Sequence, residues 1–405
     1  MPSSPRSSTT SGDRPLRVLA VNQTAATSGA EHSLLTLLAA LDPADVAVTV
    51  ASPAGLLSER VEALGLRHLP IAGTEASFRL NLKTTPPELA ALARSAWQVA
   101  RAARRTGADV VHANTTRAGL IAIAARAFGA PAPLVHVRDW APPGRAADTV
   151  LSVVARGAGA IVANSQYVAE QFGRVGAADR VQVIHNPVDL SRFDPASRDR
   201  AAARADLGGF DAGTPVAGVV GQLTPWKGQD DAVRALAVAR EAVPDAQLLV
   251  AGSAKFATAA ARFDNAGFAH DLAELPAELG IADAVRLLGE VDDVPGVLAA
   301  LDVLLVPSWE EAFGRVVVEG MAMGLPVIAT SNGGPPEIID NGRTGFTLDP
   351  KDPPRWGALL GELLADAPRR AAVGAAAHEA AQRFGPAAHA EALLGVYRAL
   401  SPSGA

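Results

Sequence analysis

Cysteine is absent from the 405-residue chain, and aromatic residues make up only 4% of it. The lack of cysteine excludes disulfides, thiolate zinc sites and cysteine nucleophiles, and it suits a reducing cytoplasm. Few aromatic side chains are available to stack on nucleic-acid bases. The formal net charge of -6 lacks the basic excess that is typical of nucleic-acid binders, so we expect no nucleic-acid partner.

Long apolar runs are missing as well. No stretch reaches the roughly 20 residues that a transmembrane helix needs. The first residues, MPSSPRSSTTSGDRP, are rich in Ser, Thr and Pro and contain no apolar segment of the kind found in signal peptides. We therefore expect residues 1–14 to form a disordered tail and the protein to be cytoplasmic.

The chain does contain enough apolar sequence for a large core. It is 49% hydrophobic and 19% charged, which indicates a globular protein, and its length predicts two or three domains. Short apolar runs such as 16–21, 216–220 and 303–306 alternate with helical patterns. This alternation predicts two successive α/β domains of the doubly wound class, each with a parallel sheet.

One stretch of the second half carries two regularly spaced carboxylates. The apolar run Val303 to Val306 predicts a buried parallel strand, and Arg315 to Met323 has a helical pattern. Ligands bind such sheets at the carboxyl ends of the strands, so the loop between strand and helix is expected at a binding site. Glu311 lies in this loop and Glu319 on the helix, with seven residues between them.

The segment EAFGRVVVE resembles the Glu-x7-Glu motif of retaining family-4 glycosyltransferases, and most of the chain resembles that family, with the segments in the same order. The resemblance implies a GT-B fold, in which two Rossmann-like domains face each other across a cleft. It implies domains at 15–190 and 214–385, a linker at 191–213, and a last helix within 386–405 that crosses back to the first domain. The implied reaction transfers a sugar from a nucleotide sugar to an acceptor hydroxyl or amine, with retention.

The resemblance assigns the two carboxylates to the donor. Glu319 is expected at the ribose hydroxyls, and Glu311 at the donor sugar together with backbone amides near Phe313 and Gly314. Val291 follows a predicted strand at the place where the family's backbone binds the base. Uracil is the preferred base, with guanine as the alternative.

The diphosphate is expected to meet cations. Lys227 lies in a loop between a strand and a helix, where it can bind phosphate as a point charge. Gln222 stands where the family commonly has an arginine, which weakens the expected clamp. We therefore hypothesise that Arg315, beside the Glu311 loop, compensates for Gln222.

The first predicted domain offers candidates near the acceptor and the phosphates. A strand, a small-residue loop and a helix start form a potential anion site, and the family's Gly-Gly-Ala-Glu run is similar to Ser28-Gly29-Ala30-Glu31 here. Gly29 and Ala30 are therefore candidates. Asn114 follows a later strand and is a further candidate.

A histidine ends another predicted strand of the first domain, in the run His136-Val137-Arg138-Asp139. Such a histidine alone is more often structural. The resemblance implies instead that His136 is the histidine that faces the donor sugar across the cleft. Asp139 either orients the imidazole or neutralises Arg138, and the sequence does not separate these two roles.

No cofactor and no metal are expected, because the nucleotide sugar is a co-substrate and no DxD-like site is apparent. Asp292-Asp293 is interpreted as a helix start, where acidic residues favour the positive end of the dipole. The implied mechanism is front-face substitution, in which the leaving phosphate helps to deprotonate the acceptor. The catalytic candidates are Glu311, His136 and Lys227.

Several alternatives stay open. A catalytically inactive nucleotide-sugar-binding protein is compatible with Gln222, and an epimerase of the same fold is a second rival. A glycosidase with paired carboxylates is disfavoured because the resemblance places Glu319 at the ribose. A nicotinamide dehydrogenase is disfavoured because the first strand is not followed by G-x-G-x-x-G.

The acceptor is expected to be a small molecule, a lipid or a polysaccharide. Arg94, Arg101 and Arg105 share one side of a predicted helix, which raises the question of peripheral contact with the inner face of the membrane. A solvated helix face is the favoured interpretation of these arginines.

Overall fold

The computed structural model describes residues 14–73, 85–254 and 263–401. Residues 1–13, which make up nearly all of the predicted tail, lie outside the described residues. Arg14 is described, and its guanidinium donates two hydrogen bonds of 2.7 Å to the Asp109 carboxylate. Arg14, the last residue of the predicted tail, is therefore part of the described structure.

Strands and helices alternate along most of the described chain. The strands are β1 (Leu16–Val21), β2 (Val46–Ser52), β3 (Arg67–Pro70), β4 (Val110–Ala113), β5 (Leu134–Val137), β6 (Ala160–Ala163), β7 (Val181–Val183), β8 (Val216–Val220), β9 (Gln247–Ala251), β10 (Val285–Gly289), β11 (Val303–Val306), β12 (Val327–Thr330) and β13 (Phe346–Leu348). The helices of the first half are α1 (Gly29–Ala40), α2 (Leu56–Ala63), α3 (Thr85–Thr106), α4 (Thr116–Ala125), α5 (Arg145–Gly157), α6 (Gln166–Glu170) and α7 (Arg200–Gly208). Those of the second half are α8 (Gln229–Ala239), α9 (Asn265–Glu278), α10 (Val294–Ala300), α11 (Arg315–Ala322), α12 (Pro335–Ile338), α13 (Pro353–Ala365), α14 (Ala367–Ala381) and α15 (Pro386–Leu400).

The strands form two sheets, with the orders β3-β2-β1-β4-β5-β6-β7 and β10-β9-β8-β11-β12-β13. The pairings on both sides of β1 and of β8 are parallel. In each sheet the strand order reverses at one central strand, which is β1 in the first sheet and β8 in the second. Such a switch point opens a crevice at the carboxyl ends of the strands, where ligands bind. This topology confirms the predicted α/β class with two Rossmann-like parallel sheets.

Both faces of the second sheet are buried, which explains its uninterrupted apolar strands. Side chains alternate across a strand, so Val303 and Leu305 of β11 pack in one core while Leu304 and Val306 pack in another. Helices α8 and α13 cover the first of these faces, and α11 and α14 cover the second. In the first sheet, β1 and β2 pack against α1 and α2 through residues that include Leu34 and Leu57.

The described residues cluster into two compact units. One holds the chain up to His136, Thr149–Ile161 and the residues from Ala390, and the other holds Val137–Asp148 and Val162–His389. Most of α15 therefore groups with the first unit. The domain boundaries predicted from the sequence stay predictions.

Residues 255–262 lie outside the described part, and α9 begins at Asn265. The Asp264 carboxylate caps it by accepting a 2.9 Å hydrogen bond from the Gly267 amide. Pro276 inside this helix obscured its helical pattern.

The predicted linker contains a helix, α7, whose four Ala and two Arg residues favour helix formation. Asp199 caps its start, and Gly209 ends it in a left-handed conformation. Arg204 anchors the helix: it is 1% exposed, donates to the Ala300 carbonyl and pairs with Asp302 at 2.7 Å. Strand β3 and helix α5 were not anticipated.

No helix in the described part of the chain is both long and apolar enough to cross a membrane.

Candidate active site

The site in the second unit is built on two neighbouring strands. Lys227 lies in the loop that follows β8, and Glu311 in the loop that follows β11. A backbone hydrogen bond of 2.8 Å from the Trp309 amide to the Trp226 carbonyl joins the two loops. The switch point of this sheet therefore brings together two residues that the sequence analysis had singled out separately.

Lys227 and Glu311 form a largely buried ion pair. The Lys227 ammonium donates to Glu311 Oε2 at 2.5 Å, and the Ser308 hydroxyl donates to the same oxygen at 3.0 Å. The ammonium also lies 4.2 Å from the centre of the Trp226 ring. Glu311 is 9% exposed, so its charge depends on these partners. The sequence analysis missed Ser308.

The backbone of Glu311 is held by two glycines that follow β12. The Gly334 amide donates to the Glu311 carbonyl at 2.8 Å, and the Glu311 amide donates to the Asn332 carbonyl at 3.1 Å. Gly333 has φ +121°, and a Cβ there would lie 2.0 Å from the Glu311 oxygen. Only glycine allows this approach, which positions the Glu311 loop against the next strand.

Helix α11 presents a second cation–carboxylate pair one turn apart. Arg315 donates to Glu319 Oε1 at 3.1 Å, and both side chains are largely buried. Burial lowers the pKa of Arg315, and the Glu319 charge partly offsets that effect. Gly314 is the N-cap of the helix at φ +97°, and its carbonyl accepts a 3.0 Å hydrogen bond from the Val317 amide. The positive end of the helix dipole and Arg315 give this helix start a positive potential.

The remaining donor-binding candidates are Gln222, Val291 and Phe313, and they differ in their contacts and burial. The Gln222 carbonyl accepts a 2.8 Å hydrogen bond from Gln229, which fixes the start of the Lys227 loop. Val291 follows β10 and is partly buried. The Phe313 ring is 2% exposed and stacks on His185 at 5.6 Å, so only the Phe313 backbone is left to face a ligand.

The candidates at the start of α1 belong to a polar network in the first unit. Glu31 accepts hydrogen bonds from the Ser28 amide and hydroxyl, at 3.0 and 2.6 Å, and caps the helix that Gly29 begins. Its other oxygen accepts from the Asn22 amide at 3.1 Å. Asn114 donates to the Asn22 side chain and to the Ala30 carbonyl, at 3.1 and 3.3 Å. The structure thus brings Asn114 to Gly29 and Ala30.

His136 is fully buried at the end of β5. Its ring stacks on His112 with the centres 5.7 Å apart, and His112 Nδ1 lies 2.7 Å from the Tyr397 hydroxyl. The sequence analysis missed His112 and Tyr397, because their side chains come from positions 285 residues apart.

Arg138 and Asp139 have different surroundings. Arg138 is 3% exposed and its guanidinium donates to the Asn186 side-chain carbonyl. Asp139 is exposed, and its backbone carbonyl accepts a 3.1 Å hydrogen bond from Gln171. The two roles proposed for the Asp139 carboxylate stay predictions.

Glu337 has a role that the sequence did not indicate. It stands in α12, but its carboxylate accepts hydrogen bonds of 2.7 and 2.9 Å from the Gln166 and Tyr167 amides and so caps α6. Burial by itself raises the pKa of the Glu337 carboxyl. The hydrogen bonds from His185, 3.1 Å away, and from the two amides outweigh burial, and the pKa lies below its usual range.

Within the described residues, no group of three or more His, Asp or Glu side chains converges in a way that would hold a metal ion. Asp293 immediately precedes α10, as expected for a helix start, and pairs with Arg198 at 2.9 Å.

Two family models match the chain in succession. The model described as Glycosyltransferase Family 4 matches residues 27–192, and the model described as Glycosyl transferases group 1 matches residues 204–380. D-inositol 3-phosphate glycosyltransferase of Mycolicibacterium vanbaalenii is 37% identical over 243 residues, which are 58% of this chain and 52% of that protein. The protein of that name from Streptomyces scabiei is 36% identical over 305 residues, which are 74% of this chain and 64% of that protein. The chain thus spans less than two thirds of the length of these relatives.

Solved structures show the same fold over nearly the whole chain. Anabaena HepE, in a complex with UDP and glucose, has a TM-score of 0.78 and 25% identity, covering 94% of this chain and 99% of that one. A glycosyltransferase from Rickettsia africae, with a TM-score of 0.79, 21% identity and coverage of 95% and 98%, supports the fold alone. The predicted GT-B fold is confirmed, and the chain is similar to glycosyltransferases in two successive regions, the first matching the family-4 model and the second the group-1 model.

Proposed function

We propose that the protein is a retaining glycosyltransferase that moves a sugar from a nucleotide sugar, with a UDP-sugar preferred, to an acceptor hydroxyl or amine without a metal ion. The observation that carries this proposal is the presence of two neighbouring ion pairs, whose carboxylates lie in the loop and the helix that follow β11. Lys227 with Glu311, and Arg315 with Glu319, lie at the carboxyl edge of one parallel sheet. The UDP bound to HepE and the transferase names of the relatives support the donor class.

The reaction needs charge stabilisation where the donor breaks. The bond between the anomeric carbon and the diphosphate oxygen breaks, and negative charge develops on the leaving diphosphate. Lys227 and the amides at the start of α11 supply positive potential for that charge. The acceptor oxygen or nitrogen forms its bond on the same face of the sugar, and its proton passes to the leaving phosphate.

The carboxylates act on the sugar parts of the donor. Glu319 accepts hydrogen bonds from the ribose hydroxyls, and Glu311 accepts from hydroxyls of the transferred sugar. Lys227 and Glu311 form an ion pair in a largely buried place, where each compensates the desolvation of the other. His136 is assigned to the donor sugar, and Val291 to the base through its backbone.

The test is nucleotide release and binding against a panel of UDP- and GDP-sugars. We expect slow release of one nucleotide by the wild-type protein. In Glu319→Ala, donor affinity should fall by about ten- to a hundredfold, as for the loss of a charged hydrogen-bond partner. Glu362→Ala is the matched control, because Glu362 is an exposed carboxylate in the same unit.

Two results would contradict the proposal. If no nucleotide sugar binds, the transferase assignment fails. If a donor binds tightly but is never turned over, with water or with any acceptor, a binding protein is the better description. Once an acceptor is found, the anomeric configuration of the product measured by NMR tests retention.

The compensation of Gln222 by Arg315 is tested by separating affinity from turnover. Because Arg315 is already paired with Glu319, it would have to share its guanidinium between that carboxylate and the diphosphate. We expect Arg315→Ala to raise the donor KM well beyond its effect on kcat, and Arg315→Lys to restore part of the affinity. An unchanged KM in Arg315→Ala would exclude the compensation.

A further inference from the structure

A stacked aromatic pair lies beside the Glu311 loop, in the second unit. The rings of Trp140, after β5, and Tyr167, in α6, are 4.7 Å apart with an angle of 26° between their planes. Both side chains are partly exposed. In a chain that is only 4% aromatic, such a stacked pair outside the core is a distinctive feature. None of the roles assigned above uses it.

The loop that carries Trp140 is held on both sides of the ring. The Gln171 side chain, 1% exposed, donates to the Asp139 carbonyl at 3.1 Å and accepts from the Ala141 amide at 3.0 Å. Arg174 lies over the Trp140 ring at 5.2 Å and is tied to Asp148 at 3.0 Å. A buried amide that fixes both neighbours of a residue pre-organises that side chain, which is what a binding platform requires.

Tyr167 is held by a hydrogen bond of its backbone amide and lies next to the Glu311 loop. Its amide donates to the Glu337 carboxylate at 2.9 Å. Burial, and next to it the neighbouring Glu310 carboxylate, raises the pKa of Tyr167. Glu310 directly precedes Glu311 in the sequence. The platform therefore ends one residue from the carboxylate assigned to the transferred sugar.

The contact between Tyr167 and the 310–311 loop is reinforced by its neighbours. The Ser165 hydroxyl, two residues before Tyr167, donates to the Ala312 carbonyl at 2.6 Å. The loop that bears Glu311 and the helix that bears Tyr167 are thus joined on both sides of the aromatic pair. A ligand resting on the Tyr167 ring would lie within reach of the Glu311 loop.

We propose that Trp140, Tyr167 and Glu310 form the acceptor subsite of the transferase, and that it takes an uncharged, hydroxyl-bearing ring such as a sugar or a cyclitol. This inference rests on the proposed function. Because Tyr167 and Arg174 already lie against the Trp140 ring, the apolar C–H face of such a ring packs on the other face of Tyr167, which Trp140 holds in place, and its hydroxyls meet the Tyr167 hydroxyl and the Glu310 carboxylate. The Glu310 charge repels phosphate, so a phosphorylated ring is disfavoured at this subsite.

The test measures binding of uncharged and phosphorylated rings to the full chain saturated with UDP. Methyl α-D-glucopyranoside and myo-inositol are the uncharged probes, and myo-inositol 1-phosphate is the charged one, all followed by calorimetry. We expect Trp140→Ala to raise the dissociation constant of an uncharged probe at least about tenfold, while Trp140→Phe keeps most of the affinity because it keeps an aromatic ring. Tyr167→Phe should raise it a few-fold, about the loss of one hydrogen bond.

The matched control is Trp97→Ala, since Trp97 is a 44% exposed tryptophan on α3 in the first unit. Probe affinity should be the same as in the wild type. UDP affinity, measured in every variant, shows that the variant is folded. Equal probe affinity in Trp140→Ala and wild type would overturn the proposal, and so would binding of the phosphorylated probe alone.

Failure of this inference differs from failure of the proposed function. If UDP and nucleotide sugars bind and turn over but no uncharged ring binds, the acceptor subsite is wrong and the transferase stands. If no nucleotide or nucleotide sugar binds to the wild-type protein, the proposed function falls and the subsite falls with it.

Discussion

The two parallel sheets use the same position for different chemistry. At the carboxyl ends of β1 and β4, Asn22 and Asn114 join with Glu31 in a network of amides and one carboxylate. At the carboxyl ends of β8 and β11, Lys227 and Glu311 meet as an ion pair. The topology therefore creates a crevice at the carboxyl ends of the central strands in both sheets. The side chains in that crevice determine whether it can bind an anion.

The difference lies in how each network satisfies its charge. In the first sheet, the Glu31 carboxylate is satisfied by neutral donors, two of which belong to the start of α1 itself. In the second sheet, each carboxylate is paired with a cation. A cation that is already oriented by a carboxylate can attract a diphosphate, whereas amides fixed by a helix cap mainly set the shape of a loop.

The largest effect should come from removing the cation of the second sheet. Lys227→Ala is expected to lower nucleotide-sugar turnover by about 10²–10³-fold, because the developing charge on the diphosphate loses a fixed positive partner. Arg343→Ala, at an exposed cation of the same unit, is the matched control and should be neutral. Equal loss of turnover in the two variants would show that the Lys227–Glu311 pair has no special role.

The next effect should come from the glycine that supports Glu311. Gly333→Ala is expected to destabilise the protein by about 2–4 kcal/mol, because the new Cβ meets the Glu311 backbone and φ is strained. Gly213→Ala is the control, since its Cβ would meet nothing within 4 Å. The temperature of thermal unfolding and the rate of donor turnover should both fall in Gly333→Ala, and neither should fall in Gly213→Ala. A Gly333→Ala protein with unchanged stability would show that the loop is free to move away.

The buried histidine His389 should make the folded protein less stable in mild acid. Burial and the Arg138 charge lower the pKa of His389 from 6.5 to about 3, although its hydrogen bond to the His185 carbonyl opposes them. Between these values the unfolded chain binds more protons at this residue than the folded one does. Stability is therefore lost as the pH falls from 6.5 toward 3, by up to about 2 kcal/mol at pH 5.

His389→Asn should remove that part of the acid sensitivity, measured as the urea-unfolding free energy between pH 7 and pH 5. His270→Asn is the control, because the His270 side chain is 73% exposed. The same pH dependence in the wild type and in His389→Asn would contradict the buried neutral imidazole.

The smallest effect should come from the first network. Glu31→Gln keeps the size of the side chain but loses an acceptor for the Ser28 amide and hydroxyl, so we expect a loss of about 1 kcal/mol in stability. Donor turnover should fall much less than in Lys227→Ala, and urea unfolding with nucleotide release measures both. A loss of turnover as large as that of Lys227→Ala would mean that the two sheets contribute equally to the reaction.

The fold class and most strand positions follow from the amino-acid sequence. Strands such as β1 and β11 are uninterrupted apolar runs because both faces of each sheet are buried, and that pattern is visible in one dimension. The spacing of Glu311 and Glu319 also follows from the chain alone, since it places one in a loop and one on the helix that follows it. Helices α7 and α9 left no comparable signal, because a buried arginine anchors the polar helix α7 and Pro276 interrupts the pattern of α9.

Which residues contact each other depends on how the strands and loops pack in three dimensions. Lys227 and Glu311 are 84 residues apart in the sequence, and Glu337 caps a helix that lies 170 residues before it. Periodicity reports the burial of each element but not the approach of loops from different strands. That approach depends on strand order and on glycines such as Gly333, which let one backbone lie against another.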